Sequence, residues 1–170
     1  MKVKGIIDED FVNYKQPNML VLCHSCSFKC DKESGEQVCQ NSTLANTPDI
    51  EISIDSLVKR YINNPITKAV VFGGLEPFDD IENVIDFISK LRYNHNNNDY
   101  IIIYTGYTED EIKENYQKAF NILQMTNNII IKFGRFIPNC DSRFDYTLGV
   151  KLASDNQYAK YINMGGYIMI

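Results

Sequence analysis

The sequence predicts an α/β fold of repeating strand–helix units, with a parallel sheet either doubly wound or curved into a partial barrel. Three observations predict it. Four short apolar runs, Met19–Cys23, Ala69–Phe72, Tyr100–Tyr104 and Ile129–Phe133, lack clean alternation, as strands buried on both faces of a parallel sheet do. Amphipathic helical patterns separate them. Clustered cysteines, paired glycines and a Thr-Gly step follow the ends of these runs, where α/β folds gather their sites.

The first run leads straight into the cysteine-rich segment. After Ser53, the residues Ile54, Leu57, Val58, Tyr61 and Ile62 recur at helical spacing, and Pro65 follows the end of that helix. Gly73-Gly74-Leu75-Glu76-Pro77 follows the second run, and paired glycines there let the backbone take positive φ and approach a ligand closely. After Asp79 and Asp80, one stripe joins Ile81, Val84, Ile85, Ile88 and Leu91. A polar loop, Asn94–Asp99, leads to the third run and to Thr105-Gly106-Tyr107. Thr108 with Glu111 reads as a capping box opening a helix through about Leu123. The fourth run ends in Gly134-Arg135-Phe136, where Arg135 faces a cofactor or partner anion, or pairs with Asp141 or Asp145. Tyr158, Tyr161 and Tyr167 read as packing or partner-surface residues.

A chain of 170 residues predicts a single domain, residues 1–170. Seventeen Lys and Arg against 22 Asp and Glu give a net charge of -5, which argues against a nucleic-acid binder with its basic stripe. No run approaches the roughly 18 apolar residues of a membrane span, and the opening lysines run into Asp8, Glu9 and Asp10, unlike a signal peptide. A cytoplasmic location is the expectation. Of five cysteines, Cys23, Cys26, Cys30 and Cys39 fall close together, and in a reducing compartment such a cluster binds metal rather than forming disulfides. Soft thiolates select zinc or an iron–sulfur cluster. A structural zinc site would take Cys23 as fourth ligand and make the chain a non-catalytic module. A cluster on three cysteines leaves one iron open to a substrate, with Cys23 packed in its strand. Cys140 reads as an exposed thiol and His24 as a loop hydrogen-bonder.

Leu22-Cys23-His24-Ser25-Cys26-Ser27-Phe28-Lys29-Cys30 resembles the cluster loop of radical S-adenosylmethionine enzymes, which carry C-x3-C-x2-C after the first barrel strand. More narrowly, it resembles the activating proteins of anaerobic (class III) ribonucleoside-triphosphate reductase. Their loop ends in Cys-aromatic-Asn, and Cys39-Gln40-Asn41 is similar. The likeness continues through Gly73–Pro77, Tyr104-Thr105-Gly106-Tyr107 and Ala153-Ser154-Asp155-Asn156-Gln157. Phe11-Val12-Asn13 sits where that family has a short N-terminal hairpin, so the likeness spans about residues 10–160. One departure stands out: eight residues, Asp31 to Val38, separate the second and third cysteines, a polar stretch with a central Gly35 that can loop out.

The resemblance implies a partial, open (β/α) barrel of the radical S-adenosylmethionine type, with helices outside a curved parallel sheet. It implies a [4Fe-4S] cluster on Cys26, Cys30 and Cys39, and S-adenosylmethionine bound by Gly73, Gly74, Glu76, Thr105, Gly106 and Asn156. It implies an oxidoreductase that generates a 5′-deoxyadenosyl radical and installs a glycyl radical on anaerobic ribonucleotide reductase, with no catalytic side chain beyond the cluster. Its partners would be that reductase and a low-potential electron donor. The alternative within the same superfamily is another small radical enzyme, similar to 7-carboxy-7-deazaguanine synthase.

Overall fold

A computed structural model, describing residues 1–163, turns the four apolar runs into the centre of one sheet. In chain order the elements are β1 (Lys2–Asp10), β2 (Asn18–Cys23), α1 (Lys29–Ser34), α2 (Ser42–Ala45), β3 (Ile50–Glu51), α3 (Ile54–Ile62), β4 (Ala69–Gly73) and α4 (Ile81–Ser89). There follow β5 (Tyr100–Tyr104), α5 (Glu109–Asn115), α6 (Gln117–Gln124), β6 (Ile129–Phe133), β7 (Arg143–Asp145), β8 (Val150–Leu152) and β9 (Tyr158–Tyr161). Tyr167 lies outside the described residues.

The seven-stranded sheet has the order β3-β1-β2-β4-β5-β6-β9. β2, β4, β5 and β6 run parallel, while β1 and β3 on one flank and β9 on the other pair antiparallel. The expected all-parallel sheet is therefore a mixed one, parallel only at its centre. Among the described residues it stays open, with β3 and β9 at its two edges. The sequence reading missed β1 because its polar residues hide the strand. Only Lys2 and Val3 pair outward with β3, so most of β1 is an edge, where Asp8 and Glu9 are exposed to water.

Apolar residues bury both faces of the central strands. Met19, Val21, Val70, Phe72, Ile101, Ile103, Ile129 and Ile131 pack against the helices, together with Leu57, Val58, Val84, Phe87, Ile88, Phe120 and Leu123. The Phe72 and Phe87 rings meet edge-on, with centroids 5.3 Å apart. Truncating either to Ala would cost about 3–5 kcal/mol. Leu20, Val71, Ile102 and Ile130 face the other way, where Tyr14 and the β7–β8 hairpin residues Leu148 and Leu152 cover them. Because the order β2-β4-β5-β6 advances one place at a time, the crossover helices share one face. The opposite face is left for a cavity.

The helix ends follow local chemistry. Ser53 caps α3 by accepting from Ser56 N at 3.1 Å. The Thr108–Glu111 capping box forms at 3.2 and 2.9 Å. The single helix expected through Leu123 is two, α5 and α6, parted at Tyr116. The Tyr116 ring lies 5.3 Å from Phe78 and 5.4 Å from Tyr107. Among the described residues no helix is long and apolar enough to cross a membrane.

Candidate functional site

Across the free face, Leu22 stands opposite Gly73, and Tyr104 opposite Lys132. Gly73 belongs to this row because its missing side chain would meet Tyr104 Cβ at 3.3 Å. A cavity of about 470 Å³ opens above the row. Ligand pockets typically hold about 300–1,000 Å³. Cys26, Cys30 and Cys39 line one wall, the turns Gly73–Glu76 and Thr105–Tyr107 another, and Val150–Leu152 of β8 the far side.

The cysteine wall is built from polar bonds. Cys26 Sγ accepts from Phe28 N at 3.3 Å, and Phe28 takes a left-handed conformation (φ 51°) that starts α1. Asp31 Oδ1 accepts from Val38 N at 2.9 Å and from Cys39 N at 2.7 Å. Those two bonds bring the eight-residue stretch between the cysteines back beside Cys30, whose Sγ lies 3.8 Å from the same Asp31 oxygen. Partial burial, then the neighbouring Cys39, push the Cys30 thiol up to about 12, and burial pushes Cys26 to about 11. Raised thiols such as Cys26 and Cys30 suit a cationic centre, which favours the thiolate and reverses the preference.

Cys23 is 1% exposed and packs on the helix side of the sheet, where burial raises its thiol well above the usual range. It is therefore no fourth ligand to this wall. Among the described residues, no three Cys, His, Asp or Glu side chains close on a single metal ion. A [4Fe-4S] cluster takes each thiolate on a separate iron, so its ligands stand further apart, and three thiols along one wall fit such a centre. His24 Nδ1 lies 3.9 Å from Asp49 Oδ2, and Cys140 is half-buried in a distant loop.

Glu76 ties the strand ends together. Its backbone N–H donates to Ser25 O at 2.8 Å, joining the cysteine loop to the glycine turn. Its Oε1 accepts from Thr105 Oγ1 at 2.7 Å and Phe78 N at 3.1 Å, and its Oε2 from Gly106 N at 2.9 Å. The side chain is thus spent on the neighbouring turn. Burial raises its carboxyl to about 7, against the pull of those three donors. Gly74 has φ +79°, and a Cβ there would lie 2.9 Å from Leu22 Cδ2 and Leu44 Cδ2. Only glycine fits.

Arg135 pairs with neither Asp141 nor Asp145. Its guanidinium grips both carboxylate oxygens of Glu111, lies 3.0 Å from Glu33 and donates to Gly106 O at 3.1 Å. Arg135 holds the Glu111 carboxyl down to about 2. Lys29 joins from α1, 3.1 Å from Glu111 and 4.7 Å from the Tyr107 ring centre, so the network fastens α1 to α5. Asp145 instead accepts from Leu148 N at 3.0 Å and Ala159 N at 2.8 Å, holding the β7–β8 hairpin to β9.

Asn156 differs from the other expected cofactor residues. It lies in a shallow groove beside Cys30 and Arg135, donating to Arg135 O at 2.9 Å, and does not line the main cavity. Gln157 lines it instead, buried, with Nε2 donating to Gly134 O at 3.2 Å. Sequence reasoning also passed over Asp31 and Lys132. Lys132 is 7% exposed in the cavity floor, and Nζ donates to Gly134 O at 2.7 Å. Its signal was available: a lysine inside a strand buried on both faces. Asp31 offered only its place beside Cys30.

The family described as "4Fe-4S single cluster domain" matches residues 17–157, a range that takes in the cysteine wall and every strand-end turn. None of the curated proteins compared with the chain matches it.

Proposed function

The chain belongs to the 4Fe-4S single cluster domain family, and we propose that it is an S-adenosylmethionine-dependent activating enzyme that installs a glycyl radical on anaerobic ribonucleoside-triphosphate reductase. The observation that carries this reading is the meeting of three thiols, a side-chain-free glycine turn and the Thr105–Gly106 edge around one cavity. Cys26, Cys30 and Cys39 hold three irons. The chemistry supplied by the bound cluster is one-electron reduction of the sulfonium, giving methionine and a 5′-deoxyadenosyl radical that takes a hydrogen atom from a glycine Cα.

The chain's own residues bind and orient. The Gly73–Gly74 backbone lets the methionine end of the cofactor lie close against the sheet. The Thr105–Gly106 edge, locked by Glu76, receives the ribose or adenine. The open sheet gives a loop of a protein substrate access to the cavity, which fits a reductase partner, with a low-potential donor supplying the electron.

The test is anaerobic reconstitution with iron and sulfide, followed by a 5′-deoxyadenosine assay with S-adenosylmethionine and a strong reductant. The reading requires product from the parent and none from Cys39→Ser. A fully loaded cluster that forms no 5′-deoxyadenosine would leave an iron–sulfur protein of some other activity.

A further inference from the structure

Cys39 stands at the end of a segment without one buried residue. No residue from 24 to 50 is buried, and Lys32 to Gln37 are exposed. Within the insertion, the bond from Gly35 N to Asp31 O at 3.0 Å ends α1. Beyond it, Asp31 takes over. One oxygen of its side chain receives the N–H groups of both Val38 and Cys39, at 2.9 and 2.7 Å, and the Cys30 thiol lies 3.8 Å from the same atom. Cys39 therefore reaches Cys30 because a side chain adjacent to Cys30 grips the backbone of Cys39 itself.

We propose that Asp31 is the positioning residue that makes Cys39 a cluster ligand, closing residues 31–39 into a ring and setting the third thiolate on the cavity wall. It does so without touching the cluster, through the Cys39 backbone. The proposal rests on Cys39 being a ligand, as in the function proposed above.

It is tested on the full chain with Asp31→Ala, Asp31→Asn and Cys39→Ser, each purified and reconstituted anaerobically. Iron and sulfide per chain and the electron paramagnetic resonance spectrum of the reduced protein are read. Asp31→Ala is expected to hold less than half the parent's iron and to resemble Cys39→Ser. Asp31→Asn keeps an amide oxygen that accepts both N–H groups, so it should restore the parent's iron content and spectrum. The far-ultraviolet circular dichroism of cluster-free Asp31→Ala should match the parent's, because the segment buries no side chain.

Asp31→Ala with the parent's iron and spectrum would overturn the proposal. So would Asp31→Asn failing alongside Asp31→Ala, which would make charge and not hydrogen bonding the operative property. If Cys39→Ser kept full iron, the ligand assignment itself would fall, and the proposal with it. The Cys39→Ser result separates that failure from the other two.

Discussion

Residues 24–47 and the turns at 73–76 and 105–107 face each other across one cavity, yet they are held in different ways. The cysteine segment is part-exposed throughout, and Asp31, the Arg135–Glu111–Lys29 network and single backbone bonds keep it in place. The strand-end turns are continuous with the core: Leu75, Glu76, Thr105 and Tyr107 are buried, and Glu76 binds one turn to the next. One wall thus takes its order from polar contacts, and from the metal once it is bound. The other takes its order from the hydrophobic core before any ligand arrives. Changes on the first should abolish metal while sparing the fold. Changes on the second should weaken cofactor binding and cost stability together.

The largest effect expected from this difference is on iron content. Replacing Cys26, Cys30 or Cys39 with Ser should abolish the cluster and leave the unfolding midpoint of the cluster-free chain unchanged. Cys23→Ser and Cys140→Ser should keep their iron, as measured by colorimetric iron and sulfide analysis. Loss of iron in Cys23→Ser, with a native circular dichroism spectrum, would break the division between the two walls.

On the opposite wall, Gly74→Val should act on both properties. The new side chain meets Leu22 and Leu44 and must sit at φ +79°, a strain of about 1–3 kcal/mol. S-adenosylmethionine should bind at least several-fold more weakly, while reconstituted iron stays near the parent's level. Calorimetric titration and a thermal melt check this together, and unchanged affinity would make the turn purely structural.

Removing the metal sharpens the comparison further. A chelator added to the reconstituted protein should expose residues 24–47 to limited proteolysis several-fold faster, leaving the central strands protected. Mass mapping of the first cuts reads this directly. First cuts in the turns at 73–76 would reverse the two roles.

The smallest expected effect is the pH dependence that Glu76 and Lys132 contribute on the core-held side. Glu76 titrates near 7 in the folded chain, above its unfolded value, so the native state holds an extra proton and stability falls as pH rises from about 4.5 to 7. Burial holds Lys132 down to about 8, below its unfolded value, so its own contribution to stability rises from about 8 to 10.5, while the Cys23, Cys26 and Cys30 thiols, raised by burial above their unfolded value, oppose it. Urea unfolding of the parent should lose stability between about pH 4.5 and 7. Glu76→Gln should flatten that fall, and Lys132→Gln should make the loss above about pH 8 steeper.

The two walls also differ in how readable they were. β2, β4, β5 and β6 were legible because burial on both faces writes an unbroken apolar run. The antiparallel flanks were not, because β1 carries edge charges while β3, with two residues, and β9, with four, are too short to leave a pattern. The strand-end turns could be found because their glycines and Thr-Gly step sit next to legible strands. Which of Asn156 and Gln157 faces the cavity could not be read, because it depends on a turn in which Gln157 N donates to Ser154 O at 3.1 Å, sending Gln157 inward and Asn156 out. The partner of Arg135 lies 24 residues away on another element, beyond anything local spacing can show.

The Asp31 ring changes what the distance between two cysteines means. Closing a flexible loop costs conformational entropy that grows only with the logarithm of its length, about 0.6 kcal/mol for each doubling. Growing from two intervening residues to the eight found here is two doublings, or about 1 kcal/mol. A pair of hydrogen bonds at the loop's end, at about 1 kcal/mol net each, offsets a penalty of that size. Once the ends are clamped, the residues between them are almost neutral in number, and the segment can lengthen or shorten with little effect on where the third thiol arrives. What has to persist is an acceptor beside the second cysteine and an N–H at the third.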